Sequence, residues 1–320
     1  MVDVIGDIHG HADKLRALLV KLGYQQSGGA YRHPSRTAIF VGDLIDGGPQ
    51  QLETVGIVRA MVDASSAKAV MGNHEFNAIA WATPDPANPG EFLRQRFSKE
   101  WGEKNRRQHE KFLAEIGEDS ERHREIVAWF KTLPLWIEAG GVRVIHACWH
   151  PGFVSYLQPM LYSGNRLPDH LLEAATREPE DELEKDTPEP SVFKAIEALL
   201  KGVETPLPPG QSFIDARGFR RTRVRVRWWS ADNPTYRNVA MLPPEEAEQL
   251  SDAKVPSHLV PGYSNAPPLF VGHYWMTGRP CPLAPQLACV DYSAGRDGPA
   301  TAYRWEGESR LVEDRFVSAR

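Results

Sequence analysis

Four times along this chain an apolar run breaks at a glycine followed at once by Asp, Asn or His. The segments are "VIGDIHG" with Asp7 and His9, "FVGDLIDGG" with Asp43 and Asp46, "VMGNHE" with Asn73 and His74, and "FVGHYW" with His273. A fifth run, "VRVIHA", delivers His146 to its end. Short apolar runs bounded by turn residues read as buried strands. In a wound α/β sheet the carboxyl ends of the strands line one crevice, where residues far apart in sequence converge. The pattern thus predicts one rim rich in carboxylate, amide and imidazole groups.

The intervening segments support that architecture. "HADKLRALLVKLG" places Leu15, Leu18, Leu19 and Leu22 at helical spacing with Gly23 as a stop, and "PQQLETVGIVRAMVDA" reads as a helix with Pro49 in its first turn. "AKAVMGNHE" reads as a third strand running into a loop, and such alternation predicts a parallel sheet with covering helices. Residues 84–133 form a helical insertion, polar from Glu91 to Leu133. "LWIEAGGVRVIHACWH" reads as a hairpin turning at Gly140 and Gly141. Residues 158–210 contain "REPEDELEKDTPEP", whose acids and prolines resist core formation, so this piece is expected to be an acidic, Pro-rich surface excursion. "RTRVRVRWWS" alternates, with Arg221, Arg223, Arg225 and Arg227 on one face and Val224, Val226 and Trp228 on the other. "PLFVGHYW", "QLACVDYS" and "ATAYRWEG" complete the chain as strands, and residues 1–320 are expected to form a single domain.

Composition narrows the partners. A net charge of -5 argues against general attraction to nucleic acid or an anionic membrane. Cys148, Cys281 and Cys289 lack disulfide or zinc-knuckle spacing, so reduced thiols in a cytoplasmic protein are expected. There is no signal-like leader, and no stretch approaches the roughly 18 apolar residues of a membrane helix.

Asp7 and His9 are one residue apart, which in extended chain turns both side chains to one side, as chelation requires. Mixed oxygen and imidazole donors suit Mn, Fe, Co, Ni or Zn better than calcium. Taken singly, each piece has a plainer reading. "GDIHG" can be a turn closed by an Asx-type bond, "GNHE" a turn with a helix cap to follow, and His146 a satisfied core histidine. Five such pieces in this order point instead to a pair of metals.

The motifs "GDIHG", "GDLIDGG", "GNHE", "IHA" and "GH" resemble those of the calcineurin-like metallophosphoesterases, particularly bacterial members similar to serine/threonine protein phosphatases and diadenosine tetraphosphate hydrolases. The resemblance implies a two-layered β-sandwich flanked by helices, with a dinuclear metal centre at its rim. By analogy Asp7, His9 and Asp43 hold one metal and Asp43, Asn73, His146 and His273 the other, with manganese the first choice. Two such cations activate a bridging water for in-line attack on phosphorus. His74 would then protonate the leaving oxygen, and Asp46 would orient its imidazole.

The chain departs from this family where protein phosphatases usually carry phosphate-gripping arginines, having Gly47 and Met71 instead. The arginine strand is the obvious substitute, although charges on an edge strand also serve simply to deter aggregation. Arg227 and Arg237, flanking "WWSADNPTY", and Tyr274 beside His273 are the substrate-binding candidates. His150 is a rival to His146 as ligand, His11 a candidate helix start and Glu75 a loop anchor. Trp149, Trp228, Trp229 and Trp275 read as core residues. The leading expectation is a phosphomonoesterase of the protein-phosphatase type. The alternatives are a dinucleoside polyphosphate hydrolase and, in another class, a metal-binding scaffold without catalysis.

Overall fold

The computed structural model describes the chain except residues 215–217, 231 and 265. Eleven strands and six helices position the site. The strands are β1 (Val2–Ile5), β2 (Thr37–Phe40), β3 (Ala67–Ala69), β4 (Trp136–Ala139), β5 (Val142–Ile145), β6 (Glu204–Pro206), β7 (Arg223–Arg225), β8 (Leu269–Val271), β9 (Leu287–Cys289), β10 (Ala300–Trp305) and β11 (Phe316–Ala319). The helices are α1 (Ala12–Lys21), α2 (Gln51–Asp63), α3 (Asn73–Ala82), α4 (Gly102–Ile116), α5 (Glu121–Phe130) and α6 (Val192–Lys201).

Two mixed sheets form a sandwich, one in the order β11-β10-β1-β2-β3 and the other β9-β8-β5-β4. The expected parallel pairing is present in β1–β2–β3 and again in β5–β8–β9. The edges are antiparallel, because β10 returns onto β1 without a helical crossover and β4 reaches β5 through the Gly140–Gly141 turn. Side-chain alternation separates two cores. Val2, Val4 and Ile39 face Val142, Val144, Phe270 and Ala288 between the sheets, while Ile5, Ala38 and Phe40 belong with the leucines of α1 and Val55, Val58 and Met61 of α2.

"GNHE" differs from the expected loop: Asn73 opens helix α3, and Glu75, three residues after the Gly72 cap, turns its carboxylate back to the Gly72 N–H at 2.9 Å. Within residues 84–133, α4 and α5 follow an irregular stretch. Arg96 ties that stretch down by donating to Trp81 O of α3 at 2.7 Å and by pairing with Asp119. Residues 158–210 are only partly superficial. Helix α6 buries Ala195, Ile196, Ala198, Leu199 and Leu200, since "VFKAIEALL" carries its own helical apolar period beyond the acidic segment. Lys194 Nζ fastens that segment to α6 through the carbonyls of Glu184, Thr187 and Glu189. No helix among the described residues is long and apolar enough to cross a membrane.

A candidate dinuclear metal centre with a histidine–aspartate pair

Every parallel strand of the sandwich ends in a polar donor. Asp7 follows β1, Asp43 follows β2 and Asn73 follows β3 in one sheet, while His146 follows β5, His273 follows β8 and Asp291 follows β9 in the other. The backbone has to turn sharply to aim these groups inward. His9, Asp43, Asp46 and His273 all adopt positive φ, from 49° to 70°, although none is glycine. Each such residue costs on the order of 1 kcal/mol, which surrounding tertiary contacts must offset. Gly42, at φ 98°, passes so close to Gly72 that a β-carbon would lie 2.5 Å from its nitrogen. This close approach brings the "GDLID" and "GNHE" loops together. Glu75 locks them, accepting hydrogen bonds from the N–H groups of Asp43 and Leu44 at 2.8 Å each.

The six expected ligands are gathered by this arrangement. His9 and His146 each donate Nδ1–H to a backbone carbonyl, Ile45 O at 2.9 Å and Val41 O at 2.7 Å, which leaves the Nε2 lone pairs facing the centre. Asp43 Oδ2 lies 3.7 Å from His9 Nε2 and 3.3 Å from His146 Nε2. Asn73 Oδ1 is 2.8 Å from His273 Nδ1 and 3.1 Å from His146 Nε2. Two clusters of mutually close donor atoms result, His9–Asp43–His74 and Asp43–His146–His273, and Asp43 is common to both.

Asp7 and His74 compete for a place in the first cluster. Asp7 Oδ1 is buried without a hydrogen-bond partner, as are His9 Nε2 and His273 Nε2. Buried polar atoms without partners are costly; Asp7 Oδ2 and Asp43 Oδ2 lie 3.9 and 3.7 Å from His9 Nε2, and carboxylates with imidazole are donor types that suit a divalent transition ion. The Nδ1 atom of His74, by contrast, is engaged by Asp46 Oδ2 at 2.8 Å, and its Nε2 stands 3.9 Å from Asp43 Oδ2. His9, Asp43 and His74 form one set of close donors and Asp43, His146 and His273 the other, and these residue types fit divalent cations.

Electrostatics are consistent with that fit. Burial, together with neighbouring Asp291 and Asp43, pushes the Asp7 carboxyl well above the usual range. Burial likewise lifts Glu75 to about 7 and Asp291 to about 6. Asp43 goes the other way: burial would raise it, but His146 and His74 hold it well below the carboxylate range. Burial opposes protonation of His74, yet Asp43 and Asp46 overcome it and raise the imidazole to about 9. Burial holds His9 down at about 4, as a metal-binding lone pair requires.

Among the substrate-binding candidates, Tyr274 meets the cluster through its ring, edge to face 5.5 Å from that of His273. Tyr274 is buried, with its hydroxyl donating to Ala147 O at 3.0 Å and accepting from Trp228 Nε1 at 2.8 Å. Arg237 is engaged with Asp252 and Leu250 O, and Arg227 is exposed. Residue 231, in the segment between these arginines, lies outside the described residues. The alternation of the arginine strand is as expected, but Arg223 pairs with Asp186 and Arg225 with Glu204. His150 accepts from Phe153 N–H at the start of a short helix and bonds His258 O, away from the cluster. Trp275, expected in the core, is partly exposed and stacks on His9 at 4.9 Å, with Arg296 over its ring at 4.5 Å.

Both missing arginines have a steric account. A β-carbon on Gly47 would lie 2.9 Å from the Cβ and carbonyl oxygen of His9, and Met71 points into the hydrophobic core. Residues that sequence reasoning passed over include Asp291, which repeats the strand-end pattern in "CVDYS". Another is Arg94, whose charge acts with that of Asp46. His109 is the third: its Nδ1 reaches Asp46 Oδ1 at 2.7 Å. It shares the buried stripe of α4 with Phe112, Leu113 and Ile116, an unusual position for histidine in an otherwise charged helix.

A sandwich whose strand ends converge on carboxylates and imidazoles, with a histidine–aspartate pair alongside, places the chain among the metallophosphoesterases. The chain belongs to the calcineurin-like phosphoesterase family, whose sequence model matches residues 1–193. It is 49% identical to a bis(5'-nucleosyl)-tetraphosphatase PrpE (asymmetrical) of Halalkalibacterium halodurans over 73 residues, 22% of this chain and 30% of that protein. It is 32% identical to a symmetrical bis(5'-nucleosyl)-tetraphosphatase of Aromatoleum aromaticum over 151 residues, 47% of this chain and 45% of that one. The matched stretches thus span less than half the length of these curated relatives. A cold-active protein-tyrosine phosphatase of a psychrophilic Shewanella superposes with a TM-score of 0.49 at 17% identity, over 100% of this chain and 80% of the other.

Proposed function

We propose that this metallophosphoesterase hydrolyses phosphomonoesters whose leaving group needs protonation. Asp7, His9, Asp43, Asn73, His146 and His273 would hold two divalent cations, manganese first among Mn, Fe, Zn, Co and Ni, with Asp43 between them. Bound there, the cations would supply an activated water and neutralise phosphate oxygens. The remaining chemistry belongs to the chain. His74 Nε2, beside the shared Asp43, hands its proton to the departing oxygen, while Asp46 keeps the ring charged and correctly turned. The carrying observation is the 2.8 Å pair of His74 Nδ1 with Asp46 Oδ2 at the edge of the two clusters. An alkoxide or phenoxide needs such a proton far more than a nucleotide phosphate does, which favours a monoester. Arg94 and Arg225, whose charges act on Asp46 and His273, would be the guanidinium candidates for meeting phosphate, once released from Asn77 and Gln108 and from Glu204.

A second reading, hydrolysis of a dinucleoside polyphosphate, is favoured by the identity to bis(5'-nucleosyl)-tetraphosphatases. The cysteines, unpaired among the described residues, fit a cytoplasmic enzyme. Manganese-loaded protein is assayed with phenyl phosphate, a phosphoserine peptide and diadenosine tetraphosphate. Faster monoester turnover, lost in His74→Ala with metal retained, is the expected result. Preference for the tetraphosphate selects the second reading. Hydrolysis of none would leave only a metal-binding scaffold.

A further inference from the structure

Helix α4, from the insertion, grips the loop that carries Asp46 at three points. His109 Nδ1 donates to the Asp46 carboxylate, 2.7 Å from Oδ1 and 2.8 Å from Oδ2. Lys111 Nζ donates to Gly47 O. Glu115 accepts from the N–H groups of Gln51 at 2.7 Å and Leu52 at 3.0 Å, where α2 begins. The Asp46 N–H is itself taken by Gln51 Oε1 at 2.8 Å. Asp46 therefore lies between two imidazoles, and its φ of 65° is held by the loop that α4 clamps.

The second imidazole changes what the first can do. A carboxylate bonded to His74 alone could swing about its χ2 torsion, or draw the shared proton toward itself. His109 adds a second donor across both oxygens and, with His74, holds Asp46 down at about 2 although burial opposes it. The other nitrogen of His109, Nε2, is buried without a hydrogen-bond partner, and the ring packs against Phe112 at 4.9 Å and Trp81 at 6.1 Å. The Nδ1–H tautomer suits both sides, since it gives the carboxylate a donor and turns no N–H toward the aromatic rings.

We propose that His109 is a positioning residue for the proton donor. By holding the carboxylate that it shares with His74, it keeps His74 Nε2 aimed at the leaving oxygen. This rests on the reading of His74 given above. One proton moves, from His74 Nε2 to the leaving oxygen as the P–O bond breaks, and His74 is reprotonated from solvent; Asp46 and His109 exchange none.

The test compares p-nitrophenyl phosphate with phenyl phosphate, esters of nearly one shape whose leaving groups differ in their need for a proton. The full-length manganese-loaded protein is used. His109→Phe keeps a ring in the aromatic pocket but removes the donor. It should lower kcat for the phenyl ester about 10- to 100-fold, the usual effect of losing a group that orients a functional residue. The loss on the p-nitrophenyl ester should be distinctly smaller, with KM and manganese content unchanged. His109→Asn, whose amide nitrogen stands where Nδ1 does, should restore most of the rate. Combined with His74→Ala, His109→Phe should have no further effect.

An equal loss on both esters, no rescue by His109→Asn, or a full loss persisting in the His74→Ala background would overturn the proposal. Should His109→Phe not fold, His109→Gln, whose donor reaches the Nε2 position and misses Asp46, must show the same split between esters, and its absence counts equally against the proposal. If wild-type protein cleaves neither ester, the reading of the site itself fails. If His74→Ala shows the split and the His109 variants do not, only this inference fails.

Discussion

The strand-end rim and the arginine strand β7 are both dense in ionisable side chains, yet they are built on opposite principles. At the rim, Asp7 Oδ1, His9 Nε2 and His273 Nε2 are buried with no hydrogen-bond partner among the described residues. Along the strand, Arg223 and Arg225 reach carboxylates of their own chain, Asp186 and Glu204, although Arg225 Nε is itself buried without a hydrogen-bond partner. Charges satisfied near solvent add little beyond solubility. Buried donors left unsatisfied destabilise the fold unless something outside the chain completes them. The contrast shows why "RVRVR", the more conspicuous run in the sequence, is the weaker guide to function.

The sharpest way to break this comparison is Asp43→Asn, since that carboxylate belongs to both clusters. Loss of several kcal/mol of transition-state stabilisation corresponds to a fall of ~10³-fold or more in kcat/KM, and metal analysis should find manganese uptake impaired. Next comes His74→Ala. It should lower kcat about 10²- to 10⁴-fold on an ester with a poor leaving group, the range for removing a general acid, with metal content preserved. An intact rate there would detach the histidine–aspartate pair from catalysis.

Gly47→Ala should cost about 1–3 kcal/mol of stability through crowding against His9, read as a lower melting temperature and weaker manganese binding. Gly47→Arg, which restores the residue usual in related protein phosphatases, should therefore not raise activity. If it does, the loop around His9 is looser than the contacts indicate.

Metal-dependent stabilisation supplies a pH signature. Burial pushes Glu75 up to about 7 and Asp291 up to about 6, from ordinary values of 4.5 and 3.8. Between those limits these two carboxyls bind more protons in the folded than in the unfolded state, so their contribution to stability falls as pH rises. Cations offset the negative charge so exposed, and manganese should raise the melting temperature more at pH 8 than at pH 5. The smallest effect belongs to the surface. Arg237→Ala, which breaks a half-exposed pair with Asp252, should change stability by less than about 1 kcal/mol and leave kcat/KM alone; a rise in KM would return Arg237 to the site.

Much of this was legible from residue order. Strand runs, the leucine stripe of α1 and the glycine-flanked donors are local patterns, and they assign Asp7, His9, Asp43, Asn73, His146 and His273 to one rim. The start of α3 at Asn73 was missed because the same glycine that permits a loop also caps a helix. Helix α6 was obscured by the acidic segment before it, although its own period is apolar. Arg237 and Tyr274 looked available because a sequence does not display which hydrogen bonds are already made.

What the linear chain determined by itself is the donor set: which residue types stand at the strand ends, and hence that a divalent transition ion suits them. Only the tertiary structure decided the rest. It places Asp43 between two clusters, leaves no room for a side chain at Gly47, and brings His109 across 63 residues to the Asp46 carboxylate. The physical reason is one of range. Periodicity and turn chemistry act over a few neighbours, whereas the partner of a buried carboxylate is chosen by packing between elements that the sequence keeps far apart.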